Sequence, residues 1–188
     1  MIGSLVGRLL VATPLLEDPN FARTVLLVCS HHTGGAFGLA LNRPRAEAVA
    51  QRLPEWSATA ATPPVLFAGG PVQPEVVMAL GRHRGLFEAE WWSPVTSHVA
   101  LIDLRHGPGC LDGSVQPMRL FAGYAGWGGG QLEAEIAQQA WFVVDSDVED
   151  PFTADPETLW HDVLARQRGR RTGGLAIYAN APTNHRLN

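Results

Sequence analysis

The chain has 188 residues, 46% of them hydrophobic and 17% charged, with a formal net charge of −4. This is enough apolar material for a domain-sized core, and it excludes a disordered polar chain. The acidic balance also argues against a broad nucleic-acid face, which needs clustered Lys and Arg to neutralise phosphates.

Twenty glycines and fourteen prolines predict many short elements joined by tight turns. The two cysteines, Cys29 and Cys110, form no CxxC pair and no disulfide framework, so a reducing cytoplasm is the expected compartment. The apolar N-terminus, 1–16, is interrupted by Arg8 and lacks a basic n-region and a small-residue cleavage site, so it reads as a strand rather than a signal peptide. No apolar run is long enough for a membrane span. The expectation is one domain over 1–188, and no internal repeat is visible.

In chain order, residues 6–13 are apolar around Arg8 and stop at Pro14, which predicts a first strand. A loop with Glu17, Asp18 and Asn20 follows. Residues 24–31 are β-branched or aliphatic on both faces, as in a central strand covered on both sides. Thr33, Gly34 and Gly35 supply a turn, and 36–42 return as the second arm of a hairpin. One face of that arm is bulky (Phe37, Leu39, Leu41). The other is small (Ala36, Gly38, Ala40) and admits a close neighbour. Pro44 marks the end of the strand, and Ala46, Val49, Ala50 and Leu53 have the spacing of a short helix over 46–53. Residues 57–64 form a small-residue loop.

Residues 65–68 predict a short strand, and 75–80 an apolar run ending in a basic turn of Arg82, His83 and Arg84. Residues 88–92 show no clear pattern. Residues 99–104 predict a strand and 106–113 a tight glycine-rich connection. Residues 115–122 then lead into the densest glycine cluster, which carries Tyr124 and Trp127. Gly128 to Gly130 can take the positive φ of a sharp turn. Leu132, Ile136 and Ala140 form the buried stripe of a helix, with Glu133 and Glu135 in its first turns. Residues 141–144 make a further strand. Strand, glycine turn, helix, strand is the order of a phosphate cradle, although the lysine and spacing of a P-loop are missing. Asp155 and Pro156 suit the N-cap and first position of a last helix, with an apolar face of Leu159, Trp160, Val163 and Leu164 and a stop at Gly169. Arg166, Arg168, Arg170 and Arg171 gather at its end, where cations suit the helix dipole better than they argue for a phosphate patch. Residues 175–178 read as a final strand, and 180–188 as a polar tail.

Three blocks carry a resemblance. They are G-R-L-L-V-A-T-P with D-P-N-F-A-R-T-V-L-L-V-C-S-H-H-T-G-G-A-F-G-L-A-L-N-R-P, then F-A-G-G-P-V, then F-A-G-Y-A-G-W-G-G-G-Q-L-E-A-E-I-A-Q-Q-A-W. With the later L-W at Leu159 and Trp160, they resemble the YqgE/AlgH family of bacterial proteins. The resemblance implies an α+β fold: a single domain with a mixed, largely antiparallel, partly barrel-like sheet flanked by helices. The family is often labelled a transcriptional regulator, a phenotype rather than a chemistry. Two segments depart from its pattern, 73–82 and 98–105.

No catalytic set is complete. Cys29 and His31 share one side of a strand, but a metal site needs three or four ligands, so no metal or cofactor is assigned. Cys29 suits a buried small hydrophobe better than a nucleophile. Ser30 or Ser97 lacks a G-x-S-x-G elbow. Asp18 and His31 could act as an acid–base pair if folding joins them, and Asp18 could equally cap its loop. Tyr124 and Trp127 suit either ligand stacking or packing. Asn42 and Gly70 suit turns. The candidate ligand or partner surface is therefore Asp18, His31, Asn42, Gly70, Tyr124, Trp127 and Gln131. The leading expectation is a non-catalytic regulatory or binding protein acting through a protein partner or small ligand, without direct DNA contact. The alternative is an enzyme or a nucleotide- or phosphate-binding protein using the glycine turn and helix entrance from Gly126 to Gln131. Convergence of Asp18, His31, Tyr124 and Gln131 on one open cleft would favour a site.

Overall fold

Runs of β-branched and aliphatic residues, broken by glycine and proline, become strands in a computed structural model that describes residues 3–85, 89–167 and Tyr178. The strands are β1 (Arg8–Ala12), β2 (Val25–His32), β3 (Gly35–Ala40), β4 (Pro44–Ala48), β5 (Val65–Ala68), β6 (Val72–His83), β7 (Trp92–Pro94), β8 (Val99–Ile102), β9 (Val115–Gly128) and β10 (Trp141–Asp145). The helices are short: α1 (Val49–Arg52), α2 (Gln131–Ala137) and α3 (Leu159–Ala165). The strands form one curled sheet in the order β10-β1-β2-β3-β9-β6-β8-β7, with β4 paired to β5 and β5 to β9. Only β5 with β9 is parallel among the strand pairs. The expected α+β fold is thus right in outline, a largely antiparallel, half-barrel sheet, but the sheet dominates and the helices are accessories.

Strand alternation sorts the core. Leu9, Val11, Leu27, Leu39 and Leu41 point to one side, where Phe67, Phe121 and the α3 residues Leu159, Trp160, Val163 and Leu164 meet them. Leu10, Ala12, Leu26, Val28 and Ala40 point to the other, under Leu132 of α2 with Trp127 and Trp141. The small face of β3 does receive a helix, since Ala36 packs in the same cluster as Leu132 and Ile136. A third cluster, with Trp56, Leu66, Ala79, Ile102, Met118 and Leu120, fills the far end. Both faces of β2 are covered, as its composition predicts.

Several boundaries move, for physical reasons. Residues 46–48 extend as β4 because Pro44 and Ala48 pair with Phe67 and Val65, so pairing overrides the helical spacing and leaves α1 only Val49–Arg52. The basic turn is instead the end of β6, whose His83 lies opposite Val115. The glycine cluster is also strand: β9 runs on to Gly128, and of Gly128, Gly129 and Gly130 only Gly130 takes positive φ, 77°. Asp155 does not cap α3. Its carbonyl accepts from the Thr158 N–H at 3.2 Å in a preceding turn, and Thr158 occupies the N-cap. Residues 86–88, Arg168, Gly169, Arg170, Arg171, the expected strand at 175–178 apart from Tyr178, and the tail 180–188 lie outside the described residues.

The buried end of β9 holds a cation. Arg119 is 1% exposed and lies over the Phe67 ring at 4.2 Å. Its guanidinium donates to the carbonyls of Pro151 (3.2 Å), Pro63 (2.9 Å), Thr62 (2.9 Å) and Thr153 (2.8 Å), with Ala61 at 3.5 Å. No carboxylate joins it among the described residues. Burial pulls its pKa down to about 10, which still leaves it charged at neutral pH. The planar fork therefore ties the 61–63 and 151–153 loops to the sheet. Arg119→Ala should lower unfolding free energy by about 3 kcal/mol or more, with Arg119→Lys intermediate, because a compact ammonium cannot reach both loops. Urea denaturation measures this. A loss under about 1 kcal/mol for the alanine variant would mean that water replaces the guanidinium.

Candidate functional site

The seven candidate residues do not form a cleft. His31 ends β2 and meets α2. Its Nδ1 accepts the Leu5 N–H at 3.2 Å, so in the neutral ring Nε2 carries the proton and donates to Glu133 Oε1 at 2.8 Å. Its carboxylate partner is therefore Glu133, while Asp18 is engaged elsewhere. The Glu133 backbone N–H, and then His31, hold the Glu133 carboxyl below its usual range. The pair pins the N-terminal segment and β2 to α2.

Glu135, one turn along α2, gathers three donors. Its Oε2 accepts the indole N–H of Trp127 at 2.9 Å and of Trp141 at 2.8 Å, and its Oε1 accepts Gln131 Nε2 at 3.0 Å. Trp127 is 7% exposed and Trp141 3%, with ring centroids 6.3 Å apart edge to face. Gln131 Oε1 in turn accepts the Gly128 N–H at 3.1 Å. Trp127 thus serves packing, with its polar edge satisfied. Gln131 closes the turn into the helix.

Tyr124 stands three positions before Trp127 on β9 and so on the opposite face. It packs edge to face on Phe37, centroids 5.9 Å apart, against the other core. Asp18 caps its own loop: Oδ1 accepts the Asn20 N–H at 2.8 Å, and the carbonyl accepts from Phe21 and Ala22. Asn42 clamps β2 by accepting the Val25 N–H at 2.9 Å and donating to the Arg23 carbonyl at 2.8 Å. Gly70 is a backbone crossing, where an added Cβ would lie 2.2 Å from the Tyr124 carbonyl carbon. His31, Trp127 and Gln131 share the α2 region, Gly70 and Tyr124 meet at the backbone crossing, Asp18 serves its own loop and Asn42 clamps β2. Cys29 and Cys110 are free thiols, and burial pushes both pKa values up, so neither has thiolate character. The hydrolytic pairing of Ser30 or Ser97 gains no partner among the described residues' hydrogen bonds.

The open features lie where sequence reasoning did not look. β8 pairs with β6 only from Ala79 to Arg82, then turns into a 3-10 turn, Leu104–His106. β6 continues, so the outer edge of Val76, Val77 and Met78 has no strand beside it among the described residues. The gap is an open groove of about 650 Å³, bordered by those three residues, Trp91, Trp92 and Leu101–Arg105. Val76 is 39% exposed. At the rim, Asp103 clasps the Arg105 guanidinium at 2.5 Å. The Arg105 side chain, and then its backbone N–H, hold the Asp103 carboxyl down at about 2, so this clasp loosens only as pH falls toward that value. The other end of β6 carries a second, basic hollow. The run Gln73–Arg82 hints at the groove by keeping apolar residues beyond its pairing length, but the divergence of β8 has no sequence signal.

Replacing Glu135 tests the α2 cluster. Glu135→Gln turns one acceptor toward three donors into a donor and should cost about 1–2 kcal/mol by thermal or urea unfolding, with a shift in tryptophan emission. An unchanged midpoint would mean that the indole contacts are incidental.

Comparison with known proteins agrees with this architecture. The sequence model of a family described as AlgH-like matches residues 9–172. A UPF0301 protein of Streptomyces coelicolor is 43% identical over 191 residues, covering 100% of this chain and 97% of the relative. The corresponding Thermobifida fusca protein is 42% identical over 98% of this chain and 96% of its own length. The crystal structure of protein DIP2367 from Corynebacterium diphtheriae superposes with a TM-score of 0.86 at 30% identity, covering 95% of this chain and 93% of that one. The solution structure of the AlgH protein from Pseudomonas aeruginosa superposes with a TM-score of 0.68 at 29% identity, over 98% and 100% of the two chains. Family match, relatives and fold agree with the three sequence blocks: the chain belongs to the AlgH-like family.

Proposed function

We propose that this protein is a non-catalytic binding protein with a regulatory role, and that it works by docking an extended segment of a partner protein in the groove beside β6. The observation that carries this reading is the strand edge at Val76–Met78, which pairs with no outer strand among the described residues and borders a groove of mixed polar and apolar lining. Such an edge offers main-chain donors and acceptors to an added strand, and the groove offers pockets for alternate side chains. Trp91, Trp92, Val77 and Leu104 suit apolar residues. Glu90, exposed on the rim, suits a basic residue of the partner. The occupant is therefore an apolar β-forming peptide with Lys or Arg at one end.

The helix-entrance alternative has less support. α2 has seven residues, the Gly128 N–H is taken by Gln131, and Gln131 is taken by Glu135. Direct DNA contact has the least, given the net charge of −4.

The test uses the full chain and a short peptide alternating Val or Leu with Thr and ending in Lys. Binding should slow amide hydrogen exchange at Val76–Met78 and perturb Trp91 and Trp92. Glu90→Lys should weaken it at least tenfold without changing the melting temperature. Peptide binding that leaves exchange at 76–78 untouched, or no binding by any such peptide, would overturn the reading. So would micromolar DNA binding with a steep salt slope.

A further inference from the structure

The end of β6 and the start of β8 bring basic side chains together. Arg82, His83, Arg84 and His98 border an open hollow of about 430 Å³, closed on one side by Val148. The register explains this: Arg82 lies opposite Val99, and the His83 N–H donates to the His98 carbonyl at 2.9 Å, so His98 stands beside the end of β6. His83 is 1% exposed and is held by its Nδ1 against the Gly85 carbonyl at 2.6 Å and edge-on to Trp92 at 4.9 Å, so the floor is rigid.

The charge balance favours an anion. The protein as a whole carries −4, yet this hollow is lined by two guanidinium groups and two imidazoles. The acid facing them is Glu149, which pairs with Arg82 while remaining 61% exposed. Most other described arginines are engaged: Arg8 with Asp145, Arg105 with Asp103, Arg166 with Asp150, Arg43 with Thr24 and Ala22, and Arg119 with its carbonyls. Arg84 and the His98 ring are held by no side-chain hydrogen bond or ion pair of the described residues. Arg84 also borders a second hollow of about 440 Å³, with Gly85, Gly113, Ser114 and Gln116. It stands between the two.

We propose that this end of the sheet is an oxyanion-binding site for a phosphate-type group. Arg84 and His98 are the primary donors and Arg82 is shared with Glu149. The second hollow gives room for a small polar body attached to the anion. A guanidinium fork matches the tetrahedral oxyanion in geometry as well as charge. The hollow shares no lining residue with the groove, although its His83 packs edge-on against the groove residue Trp92.

The experiment titrates the full chain with inorganic phosphate and, separately, with glycerol 3-phosphate, following the Arg84 side-chain Nε–H and His98 ring resonances by NMR at constant ionic strength. Saturable shifts at Arg84 and His98 are expected with at least one of them. Arg84→Gln should weaken binding at least tenfold, and Glu149→Gln should tighten it severalfold by freeing Arg82. Arg45→Gln, an exposed arginine on β4, should leave it unchanged. Tighter binding of the ester would identify an attached body as part of the ligand, and equal binding would identify the bare anion. Neither ligand saturating, or an Arg45→Gln effect equal to that of Arg84→Gln, would overturn the proposal. Amide spectra of the variants confirm folding in each case.

Discussion

The architecture depends on a close crossing of backbone at glycine. An added Cβ at Gly69 would lie 2.2 Å from the Gly123 carbonyl oxygen, and one at Gly123 would lie 2.6 Å from the Gly70 oxygen. No side chain can occupy that space. Gly123 also takes positive φ, 73°, which bends β9 at this point. Because of the bend, a strand of fourteen residues can pair with β5 and β6 along its first part and with β3 along its last. β9 thereby joins the hairpin half of the sheet to the other half, and the curl of the whole follows.

Around that crossing the polar groups are spent on structure. His31 and Glu133 fasten the N-terminal segment to α2, Glu135 satisfies two indoles, Asn42 closes the base of the β2–β3 hairpin, and Arg119 fastens two loops. Each is a buried or half-buried donor or acceptor that would be costly if left unmet. A residue saturated in this way has little left for a ligand. Openness appears instead where pairing runs out, at both ends of β6. One exposes main-chain edge and a groove, and the other exposes Arg84 and His98 beside the Arg82–Glu149 pair. Segments 73–82 and 98–105 each contribute to the lining of both features.

Within this scaffold the tryptophans and acids of α2 illustrate how local reading and tertiary packing divide the work. Periodicity places Leu132 and Ile136 on the buried stripe, and the structure agrees. The same periodicity assigns Glu133 and Glu135 only to the helix dipole. Their roles as partners of His31, Trp127 and Trp141 depend on where β2, β9 and β10 pass, over separations of up to 102 residues for His31 and Glu133.

The sequence by itself determined the family, the hairpin of β2 and β3, the apolar face of α3, and the order of strand, helix and strand around α2, because these follow from local periodicity and from turn chemistry. It could not tell that the glycine cluster is strand rather than loop, because glycine permits both and only pairing with β3 decides. Nor could it separate a stacking Trp127 from a packed one, or place Tyr124 on the opposite face, until the register of β9 was known. The role of Arg119 was not legible either, because its carbonyl partners lie more than thirty residues away on two loops. The groove opens where β8, shorter than β6, leaves Val76–Met78 without an outer partner strand among the described residues. That mismatch is a property of tertiary pairing, and it is what leaves surface available for binding.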